Sequence, residues 1–229
     1  MAGRKQSRGI CSFCNHETTK GAMGKHLQSC QQRLEQIKDS NASKRKPEML
    51  YHLRVQDAYS PDFWLDLEVK GSAALKDIDF YLRGIWLECC GHLSEFLPGK
   101  GGFMADNLAK SRKVGIVFQS ISEITHIYDM GTSSETLLRL IDQREGTSLT
   151  RRAVVLMARN QMPTDICQEC GDPATHLCME CMDEEEEVAT LCTAHAQSHP
   201  HNNYGEPIKL VNSPRLGLCG YDGPAVAPY

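Results

Sequence analysis

Residues 167–201 read CQECGDPATHLCMECMDEEEEVATLCTAHAQSHPH. Four ligand pairs follow one another there: Cys167-x2-Cys170, Cys178-x2-Cys181, Cys192-x2-His195 and His199-x-His201. Thiolates and imidazoles at this spacing are zinc donors, and eight of them suffice for two tetrahedral sites. Adjacent pairs could share one metal, as in a ribbon, or interleave, first with third and second with fourth. His201 is the tightest position, with one spacer residue between two imidazoles, and His176 or Cys219 is the alternative donor. A site with four protein ligands leaves no position for water or substrate, so these metals are expected to be structural.

The same chemistry recurs at the other end. Cys11-x2-Cys14 is followed after eleven residues by His26-x3-Cys30. A thiolate knuckle supplies two ligands there, and positions four apart on a helix can point the other two at one metal. A fragment this short has no other way to build a core. The expectation is about three Zn2+ per chain. Nine of the eleven cysteines lie toward the two ends, eight of them in these clusters and Cys219 in the tail, and pairing with histidine indicates metal ligation in a reducing compartment. Cys89 and Cys90 lack a histidine at metal spacing and read as small buried side chains. With no apolar run of membrane-spanning length and no apolar signal region after Arg4, Lys5 and Arg8, the expected location is the cytoplasm, with no membrane contact.

Outward from the clusters, the charge is polar along the chain. Residues 1–54 hold 11 basic and 4 acidic side chains, and residues 166–229 hold 2 and 10. The acidic run Asp183–Glu187 reads as a solvated loop. In the middle, Leu50–Val55 and Phe63–Val69 alternate apolar with polar residues, as half-buried strands do. Lys76–Leu87 places Ile78, Leu82, Ile85 and Trp86 at helical intervals. His92–Leu97, Glu123–Tyr128, Glu135–Ile141 and Arg152–Ala158 are further strand candidates. The fold class is α+β: a central mixed α/β domain flanked by an N-terminal zinc finger and a C-terminal cross-braced two-zinc module. The divisions are residues 1–38 for the finger, with helix-compatible Lys25–Lys38, 39–48 for a basic linker, 49–160 for the central domain, and 161–229 for the Cys/His module and its Gly-rich tail.

Two resemblances add to this reading. The C-terminal spacing resembles a B-box-like cross-brace, which implies Cys167, Cys170, Cys192 and His195 on one zinc and Cys178, Cys181, His199 and His201 on the other. Trp86 to Phe96, with His92 and Leu93 inside it, and Ile127-Tyr128-Asp129-Met130-Gly131 resemble the "W…HL..F" and "YDFG" segments of the Ri-plasmid open-reading-frame-three-like family. Met130 departs from the usual Phe. The likeness covers residues 49–160, and Ala158-Arg159-Asn160 and Asn212 to Gly223 are similar to the tails of some relatives. It implies a compact α+β fold in a prokaryotic, plasmid- or mobile-element-associated protein of no settled activity. From the residues alone, Trp86, Leu93 and Phe96 read as core, His92 as a hydrogen-bonded structural histidine, and Asp129 as bonded to its turn. Arg215 and Tyr221 would pin the tail or contact a ligand.

Three functions compete. A nucleic-acid-binding accessory factor would use Arg4, Lys5, Arg8, Lys20, Lys25, Lys44, Arg45 and Lys46, with Arg33 and Lys38, on phosphates. A protein-interaction adaptor would use the C-terminal module. An enzyme is disfavoured, since no nucleophile–base pair, phosphate loop or three-ligand metal site stands at recognised spacing, and no catalytic residue is assigned.

Overall fold

The computed structural model describes residues 7–87, 91–100, 106–184, 189–201, 203–218, 221 and 223. Two long strands form its centre, β3 (Glu48–Asp57) and β4 (Trp64–Lys70). Their register runs from Leu50 opposite Lys70 to Gln56 opposite Trp64. Around them lie β1 (Arg8–Cys11), β2 (Glu17–Thr19), β5 (Ser94–Pro98), β6 (Glu123–Tyr128), β7 (Ser134–Gly146) and β8 (Val154–Asn160). All pair antiparallel in one sheet of order β2-β1-β8-β4-β3-β7-β6-β5.

Strand alternation divides this sheet into two faces. Tyr51, Leu53 and Val55 of β3 and Leu65, Leu67 and Val69 of β4 enter the main core. There they meet α3 (Leu75–Leu82), the π-helical turn Arg83–Leu87 and the short α4 (Val114–Val117). The helical spacing over Lys76–Leu87 therefore appears as a helix that widens into a π turn, burying Ile78, Leu82, Ile85 and Trp86.

The other face is covered too, which alters the half-buried reading of β3 and β4. Helices α1 (Lys20–Ser29) and α2 (Gln31–Asn41) belong to the N-terminal segment. Arg33 of α2 bonds Glu68 of β4, and Trp64 packs with Met23 and Leu27 of α1. Asp66 is fully buried and Glu68 nearly so. The structure crosses the division drawn at 38, whereas β3 begins at Glu48, where the linker was expected to end. β1 pairs with β8, Gly9 opposite Asn160, so residues 8–11 extend the central sheet. Helical structure continues to Asn41, and Ser40 and Asn41 bond the backbone of Thr147, so the start of the expected linker is held. The helix-compatible run is also interrupted: Cys30 takes an extended conformation between α1 and α2, and its carbonyl accepts the Leu34 N–H of the next helix.

The C-terminal part has its own small sheet of β10 (Thr190–Leu191), β9 (His176–Leu177) and β11 (Ile208–Lys209), in that order, with α5 (Met179–Glu184) and α6 (Thr193–Ser198). Its compact centre is Cys167, Cys178, Cys181, Ala189 and Leu191. The tail then returns to the main sheet. Ser213 donates to the Trp86 carbonyl, Asn212 and Asn160 exchange hydrogen bonds, and the Tyr221 hydroxyl reaches the Gly84 carbonyl.

Candidate metal centres

The first Cys/His set is assembled by a knuckle and a helix. β1 ends on Cys11, and Asn15 adopts a left-handed φ of 58°, turning the chain into β2. Cys14 lies on that turn, His26 in the last turn of α1, and Cys30 just beyond it. Cys11 Sγ and Cys30 Sγ are 4.0 Å apart, and Cys14 Sγ lies 3.3 Å from His26 Nε2. A tetrahedral metal with bonds of about 2.0–2.3 Å has donor separations of roughly 3.3–3.8 Å; the Cys14–His26 edge falls in that range and the Cys11–Cys30 edge is slightly longer. Burial pushes the Cys11 thiol up to about 11, and a bound cation is what would hold it as thiolate near neutrality.

In the C-terminal part the structure brings Cys167, Cys170, Cys192 and His195 together, and separately Cys178, Cys181, His199 and His201. Pairs one and three share a set, as do pairs two and four, which is the interleaved arrangement. Cys167 Sγ and Cys192 Sγ each lie 3.3 Å from His195 Nδ1, and Cys170 Sγ is 3.9 Å from Cys192 Sγ. In the other set Cys181 Sγ is 3.3 Å from His199 Nε2 and 3.0 Å from His201 Nδ1. In each of the three sets the four donor atoms lie within 4.8 Å of one another. The single spacer Pro200 does not prevent His199 and His201 from converging, because their rings stand nearly perpendicular, at 80°. His176 instead contacts the Thr175 hydroxyl. Cys219, like Cys89 and Cys90, lies outside the described residues. No disulfide joins the described cysteines, and the three groups are compatible with metal binding.

The basic residues singled out for phosphate contact divide. Arg4 and Lys5 lie outside the described residues. Arg8 pairs with Glu17, Arg45 bonds the Ser43 hydroxyl, and Arg33 is buried against Glu68. Lys20 is half-buried, donating to Gln56 and the Pro61 carbonyl. Burial and the neighbouring Arg54 charge push its amine down to about 8. Lys25, Lys44 and Lys46 are exposed.

Trp86 and Phe96 are core residues, but Leu93 is 78% exposed, so the reading of Leu93 as core is corrected. It precedes the edge strand β5, and its carbonyl accepts the Asp129 N–H. Asp129 has a left-handed φ of 65° and accepts N–H bonds from Gly131 and Thr132, as a turn aspartate does. It also faces His92 at 3.6 Å and Arg215 at 3.2 Å. Arg215 is nearly sealed, bonding the Thr132 carbonyl and Ser134, with its guanidinium 5.4 Å from the centroid of the Tyr128 ring. Arg215 and Tyr221 therefore pin the tail.

Two polar clusters escaped sequence reading. Asp79 accepts from Ser94 and lies within bonding distance of His126, Arg83 and Lys110. Burial would raise its carboxyl, but the His126 and Ser94 bonds outweigh it and hold it well below the usual range. Beneath α1 and α2, Asp66 is held by His52 and by both ends of Arg54, and Glu68 by Arg33 and Arg144. The signal available was complementary charge at facing positions, since Arg54 stands opposite Asp66 and His52 opposite Glu68. No described helix is long and apolar enough to cross a membrane.

No family model matches the chain, and no curated protein does. Among solved structures, a protein of unknown function from Methanosarcina mazei Go1 is similar over 49% of this chain and 69% of that one, at 18% identity and a TM-score of 0.42. A likeness at that level decides neither fold nor function.

Proposed function

We propose that this is a three-zinc protein whose metals are structural and whose work is binding rather than catalysis. The observation that carries this reading is that each Cys/His set offers four protein donors converging on one point. Four donors fill a tetrahedral shell and leave no site at which zinc could activate water. Zinc is favoured over harder cations because the donors are thiolates and imidazoles, without carboxylates. Free thiols in these sets fit a reducing, cytoplasmic setting.

Native mass spectrometry with elemental analysis, on protein purified under reducing conditions, tests the assignment. Three zincs per chain support it. Zinc-free protein with an intact fold, or Cys167 to Cys192 joined as cystines, overturns it.

For the partner, the first reading is nucleic acid, supported by exposed Lys25, Lys44 and Lys46 in the basic N-terminal segment. Titration at two salt concentrations is the check: phosphate contacts give affinity that falls steeply with salt, and an absence of binding at low salt removes the reading. A protein partner on the C-terminal module is the second, supported by the opposite charge of that end. The resemblance to the Ri-plasmid family stands beside these as a proposal, supported by the contact of its two motif segments through His92 and Asp129.

A further inference from the structure

We infer that Cys170 and Cys192 form a peroxide-sensitive modification site, where oxidation to a disulfide dismantles one metal centre before the other two react. The inference rests on the structural-zinc reading above and concerns which of the three sets an oxidant reaches first.

Access separates the sets. Of the eight described cysteines, Cys170 alone is exposed. The next residue, Gly171, has a left-handed φ of 78°, and nothing lies within 4 Å of the place a Cβ would take there. The tip of this knuckle is therefore open to water. In the second C-terminal set both sulfurs, Cys178 and Cys181, are buried. In the N-terminal set Cys11 and Cys30 are buried in a cluster with Trp64 and Leu27, and half-buried Cys14 has those two sealed sulfurs as its thiol neighbours.

A second thiol stands ready beside the exposed one. Cys192 is half-buried, and its Sγ is 3.9 Å from Cys170 Sγ. Closing that gap to a bond of about 2.0 Å takes a movement of roughly 2 Å, for which the open turn leaves room. Cys167, the third sulfur of the set, is buried. Both reacting sulfurs are thiolates when the set is loaded, and the thiolate is the nucleophile. With hydrogen peroxide as oxidant, the Cys170 thiolate attacks one peroxide oxygen, the O–O bond breaks, hydroxide leaves and the sulfur becomes a sulfenic acid. The Cys192 thiolate then attacks that sulfur, the S–O bond breaks and a second hydroxide leaves. The two thiolates lose two electrons and the peroxide gains them. Cys167 and His195 remain, and two donors do not complete a tetrahedral shell. Since Cys192 is the N-cap of α6 and His195 lies on it, loss of the metal unfastens that helix, on the module that a protein partner would use.

The test uses the full, zinc-loaded chain freed of reductant under argon. Hydrogen peroxide is added in steps, zinc release is read with a chromophoric chelator, and disulfides are mapped by mass spectrometry after alkylation of the remaining thiols. The first zinc is expected to leave together with a Cys170–Cys192 disulfide. Cys170→His keeps four donors and removes the exposed sulfur; it should hold its zinc at the dose that strips the first from the parent. Should that variant fail to fold, mapping on the parent decides the matter alone. A first disulfide at any other pair, a first zinc lost without a disulfide, or full retention of zinc under excess peroxide overturns the inference. Zinc counted before peroxide is added separates two failures. A zinc-free starting protein refutes the structural-metal reading and this inference with it, whereas a loaded protein whose first disulfide lies elsewhere refutes this inference alone.

Discussion

Replacing Asp66 by Asn probes whether the N-terminal helices truly seal the second face of the sheet. Asp66 is fully buried and carries one of the best-made ion pairs in the molecule: Arg54 donates through Nε at 2.8 Å and Nη2 at 2.9 Å, and His52 Nε2 lies at 2.7 Å. The Asn variant keeps the volume but leaves the Arg54 guanidinium, whose side chain is 12% exposed, without its counter-charge. Breaking a buried pair from one side costs about 3–5 kcal/mol. For a chain of this size that is a fall in Tm of roughly 6–20 °C. Burial by itself would raise the Asp66 carboxyl, but the His52 bond and the Arg54 charge prevail and hold it below the ordinary value. A carboxyl depressed in the folded state stabilises fully above the unfolded pKa of about 3.9 and loses that contribution as the pH falls through the folded value. Urea unfolding of parent and variant, compared at pH 7 and at successively lower pH, should therefore show a gap that is full near neutrality and closes in acid. Taking the difference removes metal release common to both proteins. A gap under about 1 kcal/mol at pH 7, the size of a solvated pair, would refute the reasoning, as would a gap that does not close.

Three further outcomes follow from single contacts. Lys20 titrates at about 8 when folded, so between there and the ordinary lysine value near 10.4 only the unfolded chain keeps the proton and stability rises with pH; Lys20→Met should flatten that rise in a pH series of urea melts. A Cβ at Gly9 would overlap the Trp64 indole and stand 2.5 Å from the Arg159 carbonyl, so Gly9→Ala should cost about 1–3 kcal/mol by overpacking and shift the tryptophan emission. Arg215→Ala removes the bonds to Asp129, Thr132 and Ser134, and amide exchange over 129–134 and 212–218 should quicken at least about tenfold, the scale of one lost charge-assisted bond.

How much could be read from the chain alone depended on whether partners lie close together in sequence. Glu123–Tyr128 is a short strand candidate bounded by turn residues and is the strand observed. The donors of the three sets repeat at short, regular spacings, and the structure gathers the same twelve residues. The reading failed where partners are remote. Asp66 and Glu68 look like the wet side of a strand until Arg33, 35 residues from Glu68 in sequence, and Arg144, 76 away, arrive to cover it. Leu93 looks like core because it is large and apolar, yet its position just before the edge strand turns it outward. The return of Arg215 to Asp129, across 86 residues, has no local signature at all.

The Cys/His sets at the two ends are not equivalent, and the difference lies in what surrounds the donors. Around Cys11 and Cys30 the cluster also contains Trp64, Met23, Leu27, Met157 and Ala158. Several of those come from the main sheet, and β1 is hydrogen-bonded to β8. Apolar burial there would persist without a cation, so a metal bound at this end would secure the angle of α1 and α2 against the sheet more than it would create the fold. Among the described residues of the C-terminal part the buried cluster is Cys167, Cys178 and Cys181 with Ala189 and Leu191; Cys192 and Ala196 pack against it, and Leu177 and Leu210 are buried besides. So small a set of apolar side chains buries little surface against the ordering cost of a segment of that length at about 25 cal/mol per Å2. Metal bound at the three-cysteine cluster would add the cohesion that this interior lacks, while Asn212, Ser213, Arg215 and Tyr221 tie the tail to the main sheet.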